Sequence, residues 1–197
     1  MNTPINSRPL YSRLYLLDDQ QDTDQALMNA LTHLGYDIHQ ACQPNLLADL
    51  QQASTDIIFI RQQQLSPQLL EQLKLIQQWQ PVPVIIFTES DHQATAEQAI
   101  LAGASSYIVS GLQYKRLASI IRVACLRFEA TKNLQQNLAQ AEQSLDERKL
   151  IEQAKGLVMR HQKCDEQQAF IAMRNMSMSQ SISLGKLARQ LITALEH

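Results

Sequence analysis

The chain has 197 residues and a formal net charge of −2, and 45% of its residues are hydrophobic. This length allows one or two domains, and this hydrophobic content argues against wholesale disorder. No apolar run approaches the roughly 20 residues that span a bilayer, and the N-terminus lacks the apolar segment of a signal peptide. We therefore expect a cytoplasmic protein that does not interact with a membrane.

Cysteine and histidine residues form no recognisable site. Cys42, Cys125 and Cys164 are scattered and never form a CxxC pair, so they are expected to be reduced thiols. The five histidines lack the spacing of metal ligands, and they are His33, His39, His92, His161 and His197. The chain also lacks a nucleophile–base pair and a glycine-rich phosphate loop. We therefore expect no cofactor, no metal and no enzymatic activity.

Charge is distributed unevenly along the chain. Residues 1–145 carry 9 basic and 13 acidic side chains, whereas residues 148–189 carry 8 basic and 3 acidic ones. A basic helical segment favours a polyanionic partner, although many solvated helices reach such a charge without touching nucleic acid. We expect any such partner to bind the tail of the chain.

After a polar extension at 1–12, short apolar runs alternate with amphipathic stretches. The apolar runs predict strands at 13–17, 36–41, 56–60, 82–88 and 106–109. The amphipathic stretches predict helices at 23–34, 46–53, 67–80 and 95–102, with a further helix from Leu112. This alternation is typical of right-handed βαβ units around a parallel sheet. The expected fold class is α/β, with a doubly wound five-stranded parallel sheet followed by helices.

A long helix is predicted from Leu117 to about Arg160, because this stretch contains no proline and only one glycine. Most of the residues at alternating spacings of three and four are apolar or small, and Arg127 fills one position. They are Leu117, Ile120, Ala124, Thr131, Leu134, Leu138, Ala141 and Leu145. This seam predicts helix pairing, and we interpret residues 121–146 as a coiled-coil linker that forms a homodimer. A single helix that packs back onto its own domain is the alternative.

Polar side chains follow the predicted strands at their carboxyl ends, where functional groups gather in such sheets. Asp18 and Asp19 follow the first strand, Thr88 ends the fourth, and the fifth lies within AGASSYIV at 102–109. This pattern resembles the receiver domain of response regulators. In that family an acid pair binds Mg²⁺, an aspartate ending the third strand accepts phosphate, and a lysine ending the fifth strand contacts it. The matching positions here are Arg61 for the phosphoacceptor and Ser110 for the lysine.

Arg61 changes the chemistry that the resemblance implies for residues 13–120. A guanidinium offers no oxygen nucleophile and stays protonated. Beside Asp18 and Asp19 it would supply the positive charge that Mg²⁺ supplies in the receiver family. We predict a contact between Arg61 and a carboxylate that fixes a pseudo-receiver which is not phosphorylated. The alternative is that Arg61 points to solvent and the acids have no role.

Residues 147–197 predict a small helical domain that begins with the end of the long helix. Asp165 is predicted to cap a second helix that ends near Met178, with Gln168 as the capping-box partner. Its predicted buried residues are Ala169, Met173 and Met176, and Phe170 and Arg174 are predicted on the adjoining face. A third helix, capped by Ser183, is predicted at 184–195. Three short helices make a small core, which the long helix must help to complete.

Several separated blocks of this tail agree in order with one known family. The blocks are IEQAKGLVM at 151–159, DEQQAF at 165–170, Met173-Arg174, Met178 and Leu187-Ala188. They resemble the ANTAR domain, the RNA-binding module of AmiR- and NasT-type transcription antiterminators. With a receiver that lacks its phosphoacceptor in front and VSGL at 109–112, the whole chain resembles the nitrate-responsive NasT-type regulators.

The resemblance implies a function and two partners. Members of the family bind paired hairpins with six-nucleotide loops in leader RNA and so prevent a downstream terminator from forming. NasT-type proteins are held inactive by a nitrate-sensing partner related to solute-binding proteins. We therefore expect a leader RNA with two hairpins and such a sensor as the partners, and control by the sensor in place of phosphorylation.

The residues expected to bind RNA combine cations, a planar ring and one glycine, which suits the loop of a hairpin. They are Arg148, Lys149, Lys155, Gly156, Arg160, Phe170 and Arg174. Each cation could instead lie on a solvated helix face, Phe170 could pack in the core, and Gly156 could serve tight helix packing.

Two other functions fit parts of the sequence. A DNA-binding transcription factor would need a recognition helix, and the last predicted helix offers only Lys186 and Arg189. A dimeric scaffold that binds only protein would show no salt-dependent binding of nucleic acid.

Overall fold

The computed structural model describes residues 11–19, 24–41, 46–52, 54–110 and 112–195. Contacts divide the chain into two compact units, Met1–Thr131 and Lys132–His197. None of the helices in the described residues is long and apolar enough to cross a membrane. Cys42 and the capping region before the second helix lie outside the described residues.

Five parallel strands form one sheet in the first unit. They are β1 (Arg13–Asp18), β2 (Asp37–Ala41), β3 (Ile57–Gln62), β4 (Val84–Thr88) and β5 (Ser106–Val109). Their order in the sheet is β2-β1-β3-β4-β5, which confirms the predicted doubly wound fold. Strand order reverses between β1 and β3, so the carboxyl ends of these two strands border the crevice where such folds place their sites.

Helices cover both faces of this sheet. Four of them are α1 (Gln25–His33), α2 (Leu46–Gln52), α3 (Pro67–Trp79) and α4 (Gln93–Leu101). Buried leucines of α2 and α3 pack on one face, and Leu27 and Leu31 of α1 pack on the other. Since β3 and β4 are covered on both sides, their apolar residues form continuous buried runs without polar alternation.

The fifth helix begins at Leu117, as predicted for the long helix, and not at Leu112. A short 3₁₀ turn at Tyr114–Arg116 precedes α5 (Leu117–Gln162), so the expectation of a helix from Leu112 is wrong. Ser110 lies between β5 and this turn and has a φ of +54°, in the left-handed region. The 46-residue length of α5 agrees with the predicted long helix.

The predicted seam of α5 divides into two parts. Leu117 and Ala124 are fully buried against the sheet together with Ile121, so the start of the seam belongs to the core of the first unit. From Asn133 to Asp146, in contrast, every side chain is exposed. The seam that remains for pairing therefore consists of Leu134, Leu138, Ala141 and Leu145.

The second unit packs the end of α5 against α6 (Glu166–Ser179) and α7 (Leu184–Leu195). The predicted capping box is present, because the Asp165 carboxylate accepts from Gln168 N and the Gln168 side chain accepts from Asp165 N. The predicted burial of Met176 is wrong: its side chain is 37% exposed, and Ser177 is buried in its place. The buried positions of α6 are separated by four residues, from Ala169 through Met173 to Ser177, which leaves Met176 at the edge.

Candidate functional site

The carboxyl edge of the sheet brings together the residues of the receiver-like site. Asp18 of β1 is in register with Arg61 of β3, and Gln62 is in register with Thr88 of β4. Ser110 follows β5, and its N–H donates to the Thr88 carbonyl at 2.9 Å. A cavity of about 470 Å³ is lined by Arg61, Thr88, Ser110 and their neighbours.

Arg61 is held by two carboxylates. Its Nη2 lies 2.8 Å from Asp18 Oδ2 and its Nε lies 3.1 Å from Asp18 Oδ1, a two-point contact that matches the planar guanidinium. Its Nη1 lies 2.6 Å from Asp24 Oδ2. The Asp18 side chain is 1% exposed and the Arg61 side chain 11%. Burial opposes the charged form of Arg61, but the bonds to Asp18 and Asp24 raise its pKa.

Asp24 joins this pair to the start of two helices. Its carboxylate caps α1 by accepting from the N–H groups of Ala26 and Leu27, both at 3.1 Å. It also accepts from the Tyr114 hydroxyl at 2.5 Å, in the turn that precedes α5. Burial would raise the pKa of Asp24, but its bonds from Tyr114, Arg61 and the Leu27 N–H lower it overall.

Asp19 and Thr88 hold the loop that follows β3. Asp19 Oδ2 accepts from Gln63 N at 3.0 Å, and the Thr88 hydroxyl donates to Gln63 O at 2.8 Å. Thr88 Oγ1 also accepts from Ser90 N at 3.2 Å. In a receiver domain these two groups would serve Mg²⁺ and phosphate, but here both are engaged with Gln63.

Arg61 changes the chemistry that is available at this edge of the sheet. The residue at the phosphoacceptor position carries a guanidinium, and the contact predicted between Arg61 and the acid pair is formed with Asp18. Breaking that contact would leave a buried charge without its partner, which is strongly unfavourable. Among the described residues, no cluster of three or more His, Cys, Asp or Glu side chains could hold a metal ion.

In the second unit, three of the four cations expected to contact phosphates lie on the surface. Arg148, Lys149 and Arg160 are exposed on α5. Lys149 Nζ lies 3.3 Å from Asp146 Oδ1, with both side chains more than 70% exposed. Exposed pairs of this kind contribute little to stability, so such a lysine can exchange its partner for a phosphate.

Lys155 differs from the expectation of a solvated cation, because its side chain is only 11% exposed. Its Nζ lies 2.8 Å from Glu152 Oε1 and 2.7 Å from Glu152 Oε2. It also lies 2.7 Å from Glu166 Oε1, at the start of α6. Hydrogen bonds to Glu152 and Glu166 raise the pKa of Lys155. The contact with Glu166 joins the first turn of α6 to this part of α5.

One face of α6 exposes a large apolar surface beside a cation. Phe170 is 41% exposed and is not part of the buried core of the second unit. Arg174 is exposed one turn later, and Ile171 and Met178 are 49% and 68% exposed. Large exposed apolar side chains beside an arginine are typical of surfaces that bind another molecule.

Gly156 and Gly185 have different surroundings. A Cβ on Gly185 would collide with the side chain of Glu147 on α5, which would have to shift. A Cβ on Gly156 would meet no atom of the described residues within 4 Å. A glycine inside a helix costs about 1 kcal/mol relative to alanine. Close packing within the described chain does not explain Gly156.

Four residues of these two clusters were not identified from the sequence. In the first unit they are Asp24 and Tyr114, and in the second they are Glu152 and Glu166. A signal existed for Asp24, because an aspartate before a predicted helix is a good N-cap and this helix follows β1. Tyr114 gave no comparable signal, since it lies 90 residues away from Asp24.

Two family models match separate parts of the chain. A model of the ANTAR domain matches residues 139–192, which include all of α6 and most of α7. A model described as Flagellar regulatory protein FleQ matches residues 13–126, which is more than half of the chain.

Curated relatives match parts of the chain. The transcriptional regulatory protein PdtaR of Mycobacterium tuberculosis is 27% identical over 113 residues, which are 57% of this chain and 55% of PdtaR. The Nitrate regulatory protein of Klebsiella oxytoca is 40% identical over 62 residues, which are 32% of this chain and 16% of that protein. The chain thus spans about half the length of PdtaR and a smaller share of the second relative.

Solved structures resemble the first unit in fold. A CheY-like receiver domain protein from Methanospirillum hungatei has a TM-score of 0.54 and 18% identity, over 61% of this chain and 98% of that one. A response regulator from Thermotoga maritima has a TM-score of 0.51 and 18% identity, over 59% of this chain and 98% of that one. At this identity the similarity concerns the fold alone.

Proposed function

Since this chain belongs to the ANTAR-domain regulators, with a receiver-like N-terminal domain of the family described as flagellar regulatory protein FleQ, we propose that it is an RNA-binding antitermination regulator. The observation that carries this proposal is the exposed pair of Phe170 and Arg174 within the segment that the ANTAR model matches. The target is a leader RNA with two hairpins, and binding prevents a terminator from forming. The protein acts beside the transcribing polymerase in the cytoplasm.

The proposed interface assigns a different task to each group of residues. Arg148, Lys149 and Arg160 contact phosphates, because they are exposed cations on one helix. Phe170 offers its ring to a base that is splayed out of a hairpin loop, and Arg174 contacts the neighbouring backbone or stacks. Gly156 allows the RNA backbone to approach α5 closely, in keeping with the open space above it.

Two copies of the chain form the functional unit in this proposal. Leu134, Leu138 and Leu145 are 70%, 60% and 56% exposed, and they recur at seam spacing. A second copy would bury them in a parallel coiled coil, and a dimer presents two tails to two hairpins. We expect Leu138→Glu to lower the sedimentation coefficient to that of a monomer, whereas Gln140→Glu, an exposed position outside the seam, leaves it unchanged. A wild-type monomer in the presence of hairpin RNA would contradict the dimer.

A partner protein, not phosphorylation, controls the regulator in this proposal. Arg61 occupies the place of the phosphoacceptor, and Asp18, Asp19 and Thr88 are already engaged. The name of the Klebsiella relative makes nitrate or nitrite assimilation the first response to test, with a nitrate sensor related to solute-binding proteins as the partner. The surface around Arg61, Thr88 and Ser110 is where we place the docking of that sensor.

The experiment that tests the proposed function measures binding to a two-hairpin RNA with six-nucleotide loops across a range of salt concentrations. A DNA duplex of equal charge competes. Wild-type protein should prefer the hairpin RNA, and its affinity should fall steeply with salt because phosphates release counterions. Phe170→Ala should lower the affinity by about tenfold, the size of one lost stacking contact of about 1–3 kcal/mol.

Arg174→Ala should weaken binding and reduce the salt dependence by about one counterion. Lys74→Ala is the matched control, because Lys74 is an exposed helical cation in the first unit and its loss should leave binding unchanged. Stronger binding to the duplex would favour the DNA-binding alternative. Absence of salt-dependent binding to either nucleic acid would favour the protein scaffold and contradict the proposal.

A further inference from the structure

Glu166 has a position that the phosphate contacts of an RNA interface do not explain. Glu152 contacts the Lys155 ammonium through both of its oxygens, and Glu166 contacts it through Oε1. The Glu166 side chain is 70% exposed, so the part of its carboxylate turned away from Lys155 faces solvent. The three side chains together carry a charge of −1. A net negative cluster on a surface that binds phosphates lowers non-specific affinity, so at an RNA interface it would contribute to selectivity and not to affinity.

The position of Glu166 on α6 indicates that role. Glu166, Phe170 and Arg174 follow one another at intervals of four residues, so they form a stripe along one face of the helix. Successive members are separated by a rise of about 6 Å along the axis. Aromatic side chains of a helix point back toward its N-terminus, which directs the Phe170 ring toward the turn that carries Glu166. A base stacked on Phe170 would therefore present its edge to the Glu166 carboxylate.

We propose that Glu166 recognises the Watson–Crick edge of a loop guanine that is stacked on Phe170, and that Lys155 is the positioning residue for Glu166. The inference rests on the proposed RNA-binding function and adds the identity of one base to it. Specificity for this base then comes from a carboxylate, while affinity comes from the surrounding cations.

The chemistry of the bases selects guanine. An ionised carboxylate only accepts hydrogen bonds. Guanine is the one common base that presents two adjacent donors, N1–H and the N2 amino group, on its Watson–Crick edge. Adenine and cytosine each place an acceptor nitrogen beside their amino group, and uracil flanks its single N–H with two carbonyl oxygens. These acceptors would face the negative carboxylate and be repelled.

Lys155 fixes the position of the Glu166 carboxylate in this proposal. The Lys155 ammonium is bound by the carboxylates of Glu152 and Glu166, so it cannot follow one of them without losing its contact with the other. It fixes Oε1 of Glu166, so that the remaining lone pairs point outward. Because its side chain is 11% exposed, Lys155 itself offers little surface to a phosphate. From the sequence this lysine was expected to contact a phosphate, and in this inference its task is to position Glu166.

The test begins with selection of tight binders from two-hairpin RNAs whose six-nucleotide loops are randomised. Wild-type protein should enrich guanine at one loop position. Replacing that guanine by inosine, which lacks the N2 amino group, should weaken binding about tenfold, within the range for one two-point base contact. Glu166→Gln should bind the guanine RNA about tenfold more weakly and lose the distinction between guanine and inosine. Its dependence on salt should persist, since its phosphate contacts are intact.

Glu142→Gln is the matched control, because it removes the same charge from an exposed site on α5 outside the α6 face. It should keep both the affinity and the distinction. Lys155→Met should keep salt-dependent binding but reduce the ratio of the affinity for guanine RNA to that for inosine RNA. A purely structural role of Lys155 would not change this ratio selectively. Helicity at 222 nm shows that each variant remains folded.

Three results would overturn the inference while the proposed function stands. Wild type could bind hairpin RNA without preference for guanine at any loop position, or Glu166→Gln could retain the full preference. Glu166→Gln could also bind every RNA more tightly, which would show that Glu166 only repels phosphates. Failure of wild type to bind hairpin RNA at all would overturn both proposals.

Discussion

Arg61 in the first unit and Lys155 in the second are each held by two carboxylates, yet the two clusters differ in exposure. The partners of Arg61 are Asp18 and Asp24, whose side chains are 1% and 22% exposed. The partners of Lys155 are Glu152 and Glu166, whose side chains are 66% and 70% exposed. A carboxylate that is removed from water depends on its cation, whereas a hydrated one does not. The first cluster is therefore suited to hold a conformation, and the second is suited to meet a ligand.

The largest expected effect comes from Arg61→Met, which leaves the Asp18 charge buried without its cation. The first unit should lose roughly 3–5 kcal/mol of unfolding free energy, as observed when one partner of a buried ion pair is removed. Trp79 is the sole tryptophan of the chain and lies in α3, so its fluorescence in a denaturant titration reports on this unit.

Lys74→Met is the control for this measurement. Lys74 Nζ lies 2.7 Å from Glu71 Oε1, but both side chains are exposed, so the substitution should change the unfolding free energy by less than about 1 kcal/mol. If Arg61→Met lost no more unfolding free energy than the control, the Arg61 cluster would not hold the conformation of the first unit. The contrast between the two clusters would then be wrong.

Tyr114→Phe is expected to have the next largest effect. It removes the hydroxyl that donates to Asp24 at 2.5 Å, and a hydrogen bond of this kind contributes about 1 kcal/mol. Tyr107→Phe is the matched control, because the Tyr107 hydroxyl donates to Ser90 O over a longer distance of 3.3 Å. Trp79 fluorescence in a denaturant titration measures the stability of both variants. Equal losses of stability would mean that the Tyr114 hydroxyl does not stabilise the Arg61 cluster.

Lys155→Met should destabilise the second unit less than Tyr114→Phe destabilises the first. Methionine keeps an apolar stem of similar length, and water can hydrate both glutamates once the ammonium is gone. Thermal unfolding followed at 222 nm measures the effect. A loss as large as that of Arg61→Met would show that the second cluster is a structural ion pair, which would also weaken the role assigned to Glu166.

A pH-dependent effect concerns the Arg13–Asp56 pair at the opposite end of the sheet. The Arg13 side chain and the N–H groups of Arg13 and Ser12 bind the Asp56 carboxylate, and they lower its pKa to about 2. A lowered carboxylate pKa contributes stability above the ordinary value near 4 and loses it as the pH falls toward 2.

Asp56→Asn should therefore be less stable than wild type at pH 5, and the difference should shrink between pH 4 and pH 2. Acid titrations of both proteins, followed by Trp79 fluorescence, would show the two curves converge. A difference that stays constant down to pH 2 would contradict the lowered pKa of Asp56.

The elements of the first unit could be predicted because strands and helices differ in hydrophobic period. The contact between Arg61 and Asp18 was also predictable, since the carboxyl ends of neighbouring parallel strands meet at one edge. Asp24 and Tyr114 were not found, because their contact depends on how a helix cap and a turn meet across the fold. Burial of Lys155 was missed for the same reason. Lys155 and Arg148 both lie on α5. Arg148 is exposed, whereas Lys155 is buried and contacts Glu166 of α6.

The seam of α5 shows where periodicity stops being informative. Leu117 and Leu138 fit the same spacing, yet the first is buried against the sheet and the second is 60% exposed. Periodicity identifies an apolar face without identifying what covers it. The domain boundary expected at residue 120 stays a prediction, and Ala124 packs in the core of the first unit.

The most direct test of the account measures binding of two-hairpin RNA by the wild-type chain in the presence and absence of Mg²⁺ and a small-molecule phosphodonor. A closed Arg61 cluster and an open α6 face predict salt-dependent binding to the hairpins that the phosphodonor leaves unchanged, with no phosphoaspartate in the first unit. Absence of salt-dependent hairpin binding, or a phosphoaspartate that alters the affinity, would contradict the account.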